Sequence, residues 1–255
     1  MKLILIFTIS LSFATVTSQI SNAAVAITGN PSDVVIDPTG TSSDAASSRP
    51  SRVGASSATA AGSRTGVFVF QLPEIPVGYS SIVTNASLSF VVASVAGQPA
   101  YNIDLYGLGV RSTPAVLAKA LTETIDNDNY AGPDDTTNAY KIFDNLIVAG
   151  QASAGTVLVE TSAFTQYVAS EFTAANATDG GYLFLRLNPD VADPGAEHSG
   201  INVRFAGVAS NGAPAPNPDL PTLTLEFAPA VVPEPATAGL LASGLLSLVL
   251  RRPKR

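Results

Sequence analysis

"ASLSFVVA", residues Ala86–Ala93, places Leu88, Phe90 and Val92 on one side of an extended chain and Ser87 and Ser89 on the other. Successive side chains on a strand point to opposite faces, so a period of two describes a strand with one buried and one wet face. The pattern recurs in both directions. "VFVFQL" aligns Phe68, Phe70 and Leu72, and "YNIDLYGL" sets Tyr101, Ile103 and Leu105 against Asn102, Asp104 and Tyr106. "GTVLVET" aligns Val157 with Val159, and "GYLFLRL" aligns Leu183, Leu185 and Leu187, leaving Arg186 outside. "INVRF" aligns Ile201, Val203 and Phe205, and "PTLTLEF" aligns Leu223, Leu225 and Phe227. Seven such segments with turn-rich spacers predict an all-β body over residues 66–228, two antiparallel sheets packed face to face.

One segment breaks the period. "SAFTQYVASEFTAAN" sets Phe164, Tyr167, Val168 and Phe172 at helical spacing. It predicts one short helix over residues 163–175, capped by Ser162 and covering an open end or edge of the sandwich; a strand through "FTQYVA" is the competing reading. Residues 25–65 are rich in Ser, Ala and Gly and read as a first strand at "DVVID" followed by a flexible loop.

Composition narrows the function classes. Of 13 basic residues, Lys2, Arg251, Arg252, Lys254 and Arg255 lie at the two ends. The body between Ala24 and Ala230 keeps eight against 19 acidic residues, which excludes nucleic acid as a partner. With no cysteine there is no thiol catalysis and no thiolate metal site. A serine–histidine device would depend on the single histidine, His198. No residue set nominates a catalytic centre, and the protein is read as not an enzyme.

Both ends read as addresses. Lys2, an apolar run from Leu3 to Val16 and the small residues before Ala24 describe a signal peptide over residues 1–24, cut near Ala23 or Ala24 by signal peptidase. At the other end, residues 229–255 hold a Pro-Glu-Pro triplet, an apolar run and the tip "RRPKR". The run, residues 236–250, spans about 22 Å as a helix, short of the roughly 30 Å hydrocarbon core. It reads as a temporary inner-membrane anchor with the basic tip on the cytoplasmic side.

The order "VPEP", short apolar helix, "RRPKR" resembles the PEP-CTERM sorting signal of Gram-negative bacteria. The resemblance implies a sorting motif at Pro233, Glu234 and Pro235 and an exosortase as processing partner. It further implies a link to exopolysaccharide and biofilm. The body, through "FVFQLPEIPVGYSSIVTNASLSFVV" and "YNIDLYGL", is similar to the DNRLRE-type β-sandwich modules of exported bacterial proteins. That likeness implies a jelly-roll-like sandwich found near carbohydrate-active proteins, some relatives of which bind polysaccharide.

The loop "IDNDNYAGPDD" gathers Asp126, Asp128, Asp134 and Asp135, oxygen ligands suited to Ca²⁺; a solvated acidic turn is the simpler reading. A second acidic turn, "NPDVADPGAE", holds Asp190, Asp193 and Glu197. Tyr106, Tyr130 and Tyr182 are candidate platforms for a sugar ring, with Tyr106 and Tyr182 on outward strand faces. The expected function is an exported, exosortase-sorted protein of the cell surface or extracellular matrix, structural or adhesive and associated with exopolysaccharide. The alternative is a non-catalytic carbohydrate-binding module, with or without calcium.

Overall fold

Each of the seven alternating segments forms a strand. The computed structural model describes residues 21–30, 34–36, 42–44, 51–55, 63–117, 128, 139–173, 180–190, 199–205 and 219–230. The elements are β1 (Ala23–Thr28), β2 (Val34–Ile36), β3 (Ser42–Asp44), β4 (Ser51–Ala55), β5 (Ser63–Gln71), β6 (Tyr79–Val95) and β7 (Ile103–Arg111). They continue as β8 (Tyr140–Ile147), β9 (Gly155–Val159), α1 (Ser162–Glu171), β10 (Tyr182–Pro189), β11 (Gly200–Val203) and β12 (Thr222–Pro229). Segment 25–65 is therefore more than one strand and a loop. β1, β3 and β4 also form there, and β4 buries Val53 completely. Its Ser, Ala and Gly content hid strands too short to show a period.

The strands pair in the order β1-β12-β6-β11-β4-β5-β10-β7-β8, with β2 joined to β3 and β5, and β9 joined to β6. Each of these pairings is antiparallel. β5 is the joint. Its Ser63 and Arg64 pair with β4, while Thr65 to Val67 pair with β2 and Gly66 to Gln71 with β10. The result is one curled sheet rather than the two separate sheets expected. Alternation reports which side of a strand is buried, not whether one strand changes partners along its length.

The curl encloses the main core. Phe68 sits at its centre, its ring 5.3 Å from that of Phe90 on β6 and 5.1 Å from Phe205 after β11. Leu88, Leu105, Leu185 and Leu225 bring the other strands to the same interior, all fully buried. α1 closes one end. Phe164, Tyr167, Val168 and Phe172 enter the core, as the helical spacing predicts, and the helix touches β6 on one lobe and β7 and β8 on the other. It ends at Glu171, earlier than expected, and its cap is Thr161, whose hydroxyl accepts the Phe164 N–H at 3.1 Å. Thr161 is extended at φ −130°, as a cap requires, whereas Ser162 is already helical. Among the described residues no helix is long and apolar enough to cross a membrane. The expected anchor at 236–250 and the signal peptide, apart from its last residues from Ser21 on, lie outside the described residues.

β7 passes beneath the helix so closely that a Cβ at Gly107 would overlap the Tyr167 ring. Gly107→Ala should lower the stability measured by urea unfolding by about 1–3 kcal/mol, the usual cost of overpacking. Combined with Tyr167→Ala, the alanine at 107 should cost almost nothing, because its steric partner is gone. Equal cost in both backgrounds would show that the close approach is not the constraint.

Candidate functional site: a charge cluster on the second sheet face

β10 reads "YLFLRLNP", and its residues beyond Tyr182 are all buried. Leu183, Leu185 and Leu187 enter the main core; Phe184 joins Ile36, Val67 and Val69 in a second, smaller cluster on the opposite face. Arg186 lies on that opposite face and is only 2% exposed. The expectation that it projects outside is thus corrected: this lobe is covered on both sides, and the period of two locates faces without saying which is wet.

Register builds a polar row across the lobe. Arg186 of β10 stands opposite Tyr106 of β7, and Tyr106 stands opposite Lys141 of β8. The Arg186 guanidinium lies 5.0 Å from the centre of the Tyr106 ring, and the Lys141 ammonium 5.8 Å from it. Such cation–ring contacts gain strength when the cation is desolvated. Tyr106 is fully buried, so its expected role as an outward sugar platform does not match its place here. Burial pushes its phenol up to about 12 against the opposing pull of Lys141, so it stays protonated.

In the next row Asn188 stands opposite Asp104. Asp104 is fully buried; its Oδ2 lies 3.1 Å from Lys141 Nζ, and its Oδ1 accepts the Asn145 N–H at 2.8 Å. That donor is supplied by a bulge. The β7–β8 ladder steps from Ile103↔Ile147 to Leu105↔Phe143, which inserts extra residues in β8, and Asn145 takes a left-handed φ of 59°. Asn tolerates that conformation better than most residues. The bulge turns Asp144 toward the same place, where it pairs with Lys141 at 2.9 Å. Asp190, just past β10, completes the group: carboxylate oxygens of Asp104, Asp144 and Asp190 all lie within 4.8 Å of one another. These residues could hold a hard cation.

Of the second acidic turn, the structure brings Asp190 to this cluster; Asp193 and Glu197 lie outside the described residues, as does His198. Of the first, Asp128 is described and is not an open ligand. Both its oxygens bond the Arg111 guanidinium, and Oδ2 also accepts the Leu117 N–H at 2.7 Å. Arg111 in turn lies 4.2 Å above the Phe184 ring. Asp128 therefore ties its loop to β7 by a bidentate pair, a use of the carboxylate that competes with metal binding. Asp126, Tyr130, Asp134 and Asp135 lie outside the described residues. Tyr182 is half-buried beside the smaller apolar cluster.

A different tyrosine offers its ring to solvent. Tyr140 is 57% exposed and stacks on Tyr167 at 5.5 Å with an interplanar angle of 8°. Tyr167 is fixed from behind by the Gly109 N–H, which its hydroxyl accepts at 2.9 Å. Nearby on α1, burial pushes the Glu171 carboxyl above its ordinary range, and the Val110 N–H pulls partly against it.

Residues 231–255 match the PEP-CTERM protein-sorting motif, and the match is confined to them. The motif implies export, transient membrane anchoring and processing by an exosortase. No curated protein matches the chain.

Glu171 carries a pH signature. A carboxyl with a raised folded value binds its proton more tightly in the native state, so stability falls as pH rises from the unfolded value near 4.5 through the folded one. Glu171→Gln keeps an acceptor for Val110 and removes that titration. It should melt later than the parent at pH 7 and no later at pH 3.5, by differential scanning calorimetry. A parent protein that shows the same difference at both pH values would place the effect elsewhere.

Proposed function

We propose that this is an exported protein of the cell surface or extracellular matrix with a structural or adhesive, non-enzymatic role, associated with exopolysaccharide. The sorting motif at residues 231–255 carries this reading. The fold supports it at one corner. In the β1–β12 pair, Ala23 stands opposite Phe227, so the start of β1 and the end of β12 lie side by side. Signal-peptide removal near Ala23 and tail processing after Ala230 would both act at this one pole. The pole is closed on the β12 side by a local bond: the Ala230 N–H donates to Gly78 O at 2.9 Å. The body then stands away from the membrane, with its curled sheet free to meet matrix components.

A second reading, a carbohydrate-binding module without catalysis, is favoured by the Tyr140 ring. A flat, exposed aromatic face held in place by a stacked partner suits the apolar face of a sugar. In that reading saturable retention on polysaccharide is lost in Tyr140→Ala.

The sorting reading is tested by replacing Pro233, Glu234 and Pro235 with alanine. The parent protein recovered from outside the cell should lack the apolar tail by mass spectrometry. The triple variant should remain in the membrane fraction with its C-terminal residues intact. Parent protein recovered outside with residues 236–255 still attached would overturn the proposal.

A further inference from the structure

The three carboxylates of the cluster, buried at Asp104, half-buried at Asp190 and exposed at Asp144, come from β7, from the end of β10 and from the bulge of β8, and their oxygens fall within 4.8 Å of one another. Ligands on one Ca²⁺ at about 2.3–2.6 Å are at most about 5.2 Å apart, so each pair of these oxygens lies within the span of one ion, and a small inward turn of the exposed Asp144 side chain would let it reach all three. Mg²⁺, with ligands at about 2.0–2.1 Å in strict octahedral geometry, demands a tighter set. A fourth oxygen points to a ligand independently of the acidic group. Asn188 is fully buried, and its Oδ1 has no hydrogen-bond partner, while its Nδ2 donates to Pro189 O at 3.1 Å. Asn188 stands directly opposite Asp104, and paired residues on adjacent strands project from the same face. A buried amide oxygen left without a donor costs free energy, and a cation would remove that cost.

We infer that Asp104, Asp144, Asp190 and the Asn188 amide oxygen form a Ca²⁺ site, in which Lys141 stands in for the ion when calcium is absent. The Lys141 ammonium lies 3.1 Å from Asp104 Oδ2 and 2.9 Å from Asp144 Oδ1, the oxygens that the ion would bridge. β8 ends the strand order, and the Lys141 side chain is 19% exposed, so its flexible stem has a path to solvent. Ion entry displaces the ammonium and replaces one positive charge by two against three carboxylates. Competition from the built-in ammonium keeps affinity in the range of about 10⁻⁴–10⁻³ M that serves extracellular modules. This is the regime in which a protein exported by its sorting signal meets free calcium. The site shares no residue with the acidic segment at 126–135, whose Asp128 is already bound to Arg111.

Isothermal titration of the full chain, purified in mild detergent and stripped with chelator, tests the assignment with CaCl₂ and MgCl₂ as probes. The parent should bind Ca²⁺ in preference to Mg²⁺ and melt later in calcium. Asp144→Asn and Asp190→Asn should each weaken binding by roughly tenfold or more, the factor that about 1.4 kcal/mol of lost interaction gives. Asp144 is mostly exposed, so its variant does not threaten folding. Lys141→Met should bind calcium more tightly than the parent, because the competing cation is gone. Absence of calcium binding in both the parent and Lys141→Met would overturn the inference. So would undiminished binding in the Asp144→Asn/Asp190→Asn double variant, which would put the ion elsewhere.

Discussion

β10 has no wet face. Leu183, Leu185 and Leu187 fill one side of β10, and Phe184, Arg186 and Asn188 are buried on the other. A charge in that position must find compensation within the protein, since an isolated buried ion is prohibitively costly. The cross-strand row of Arg186, Tyr106 and Lys141 and the row of Asn188 and Asp104 behind it supply it. The bulge in β8 exists within the same constraint: it aims one backbone N–H at Asp104 and brings Asp144 to Lys141. Packing of the second face thus fixes the only place among the described residues where three carboxylates converge.

The strand that the sorting tail follows and the charge cluster lie on different parts of the fold. The tail follows β12, which pairs with β1 and β6, whereas the cluster belongs to β7, β8 and β10 at the other end of the strand order. The carboxylate cluster thus belongs to the sheet, and the sorting motif to residues 231–255 beyond its last strand.

The strands most plainly legible in the sequence are those with one wet face. β6 and β12 alternate Leu, Phe or Val with Ser or Thr, and their buried sets lie in the main core as the period requires. The helix was legible for the same reason, through Phe164, Tyr167, Val168 and Phe172. β8 escaped notice because its bulge breaks the alternation, and β1 because Ala-rich strands carry little contrast. The site was hidden more deeply. The period of two puts Asp104 and Tyr106 on the face opposite Leu105, but it does not say that this face is covered. The signal that does is the run Leu183-Phe184-Leu185, continuous rather than alternating, which marks a strand covered on both sides. No linear spacing foretells that Asp144 and Asp190 meet Asp104, since strand register alone brings them together.

β1 reaches the rest of the sheet through β12, which also borders β6. Export delivers the chain from its amino end, so the strand that completes this arrangement emerges last. Until then β6 presents an open row of amides and carbonyls, the kind of border that neighbouring chains readily seize. Pairing across such sequence distances is slow. The sorting motif implies that the chain is held at the bilayer just after β12, so the first and last strands meet while the carboxyl end is tethered.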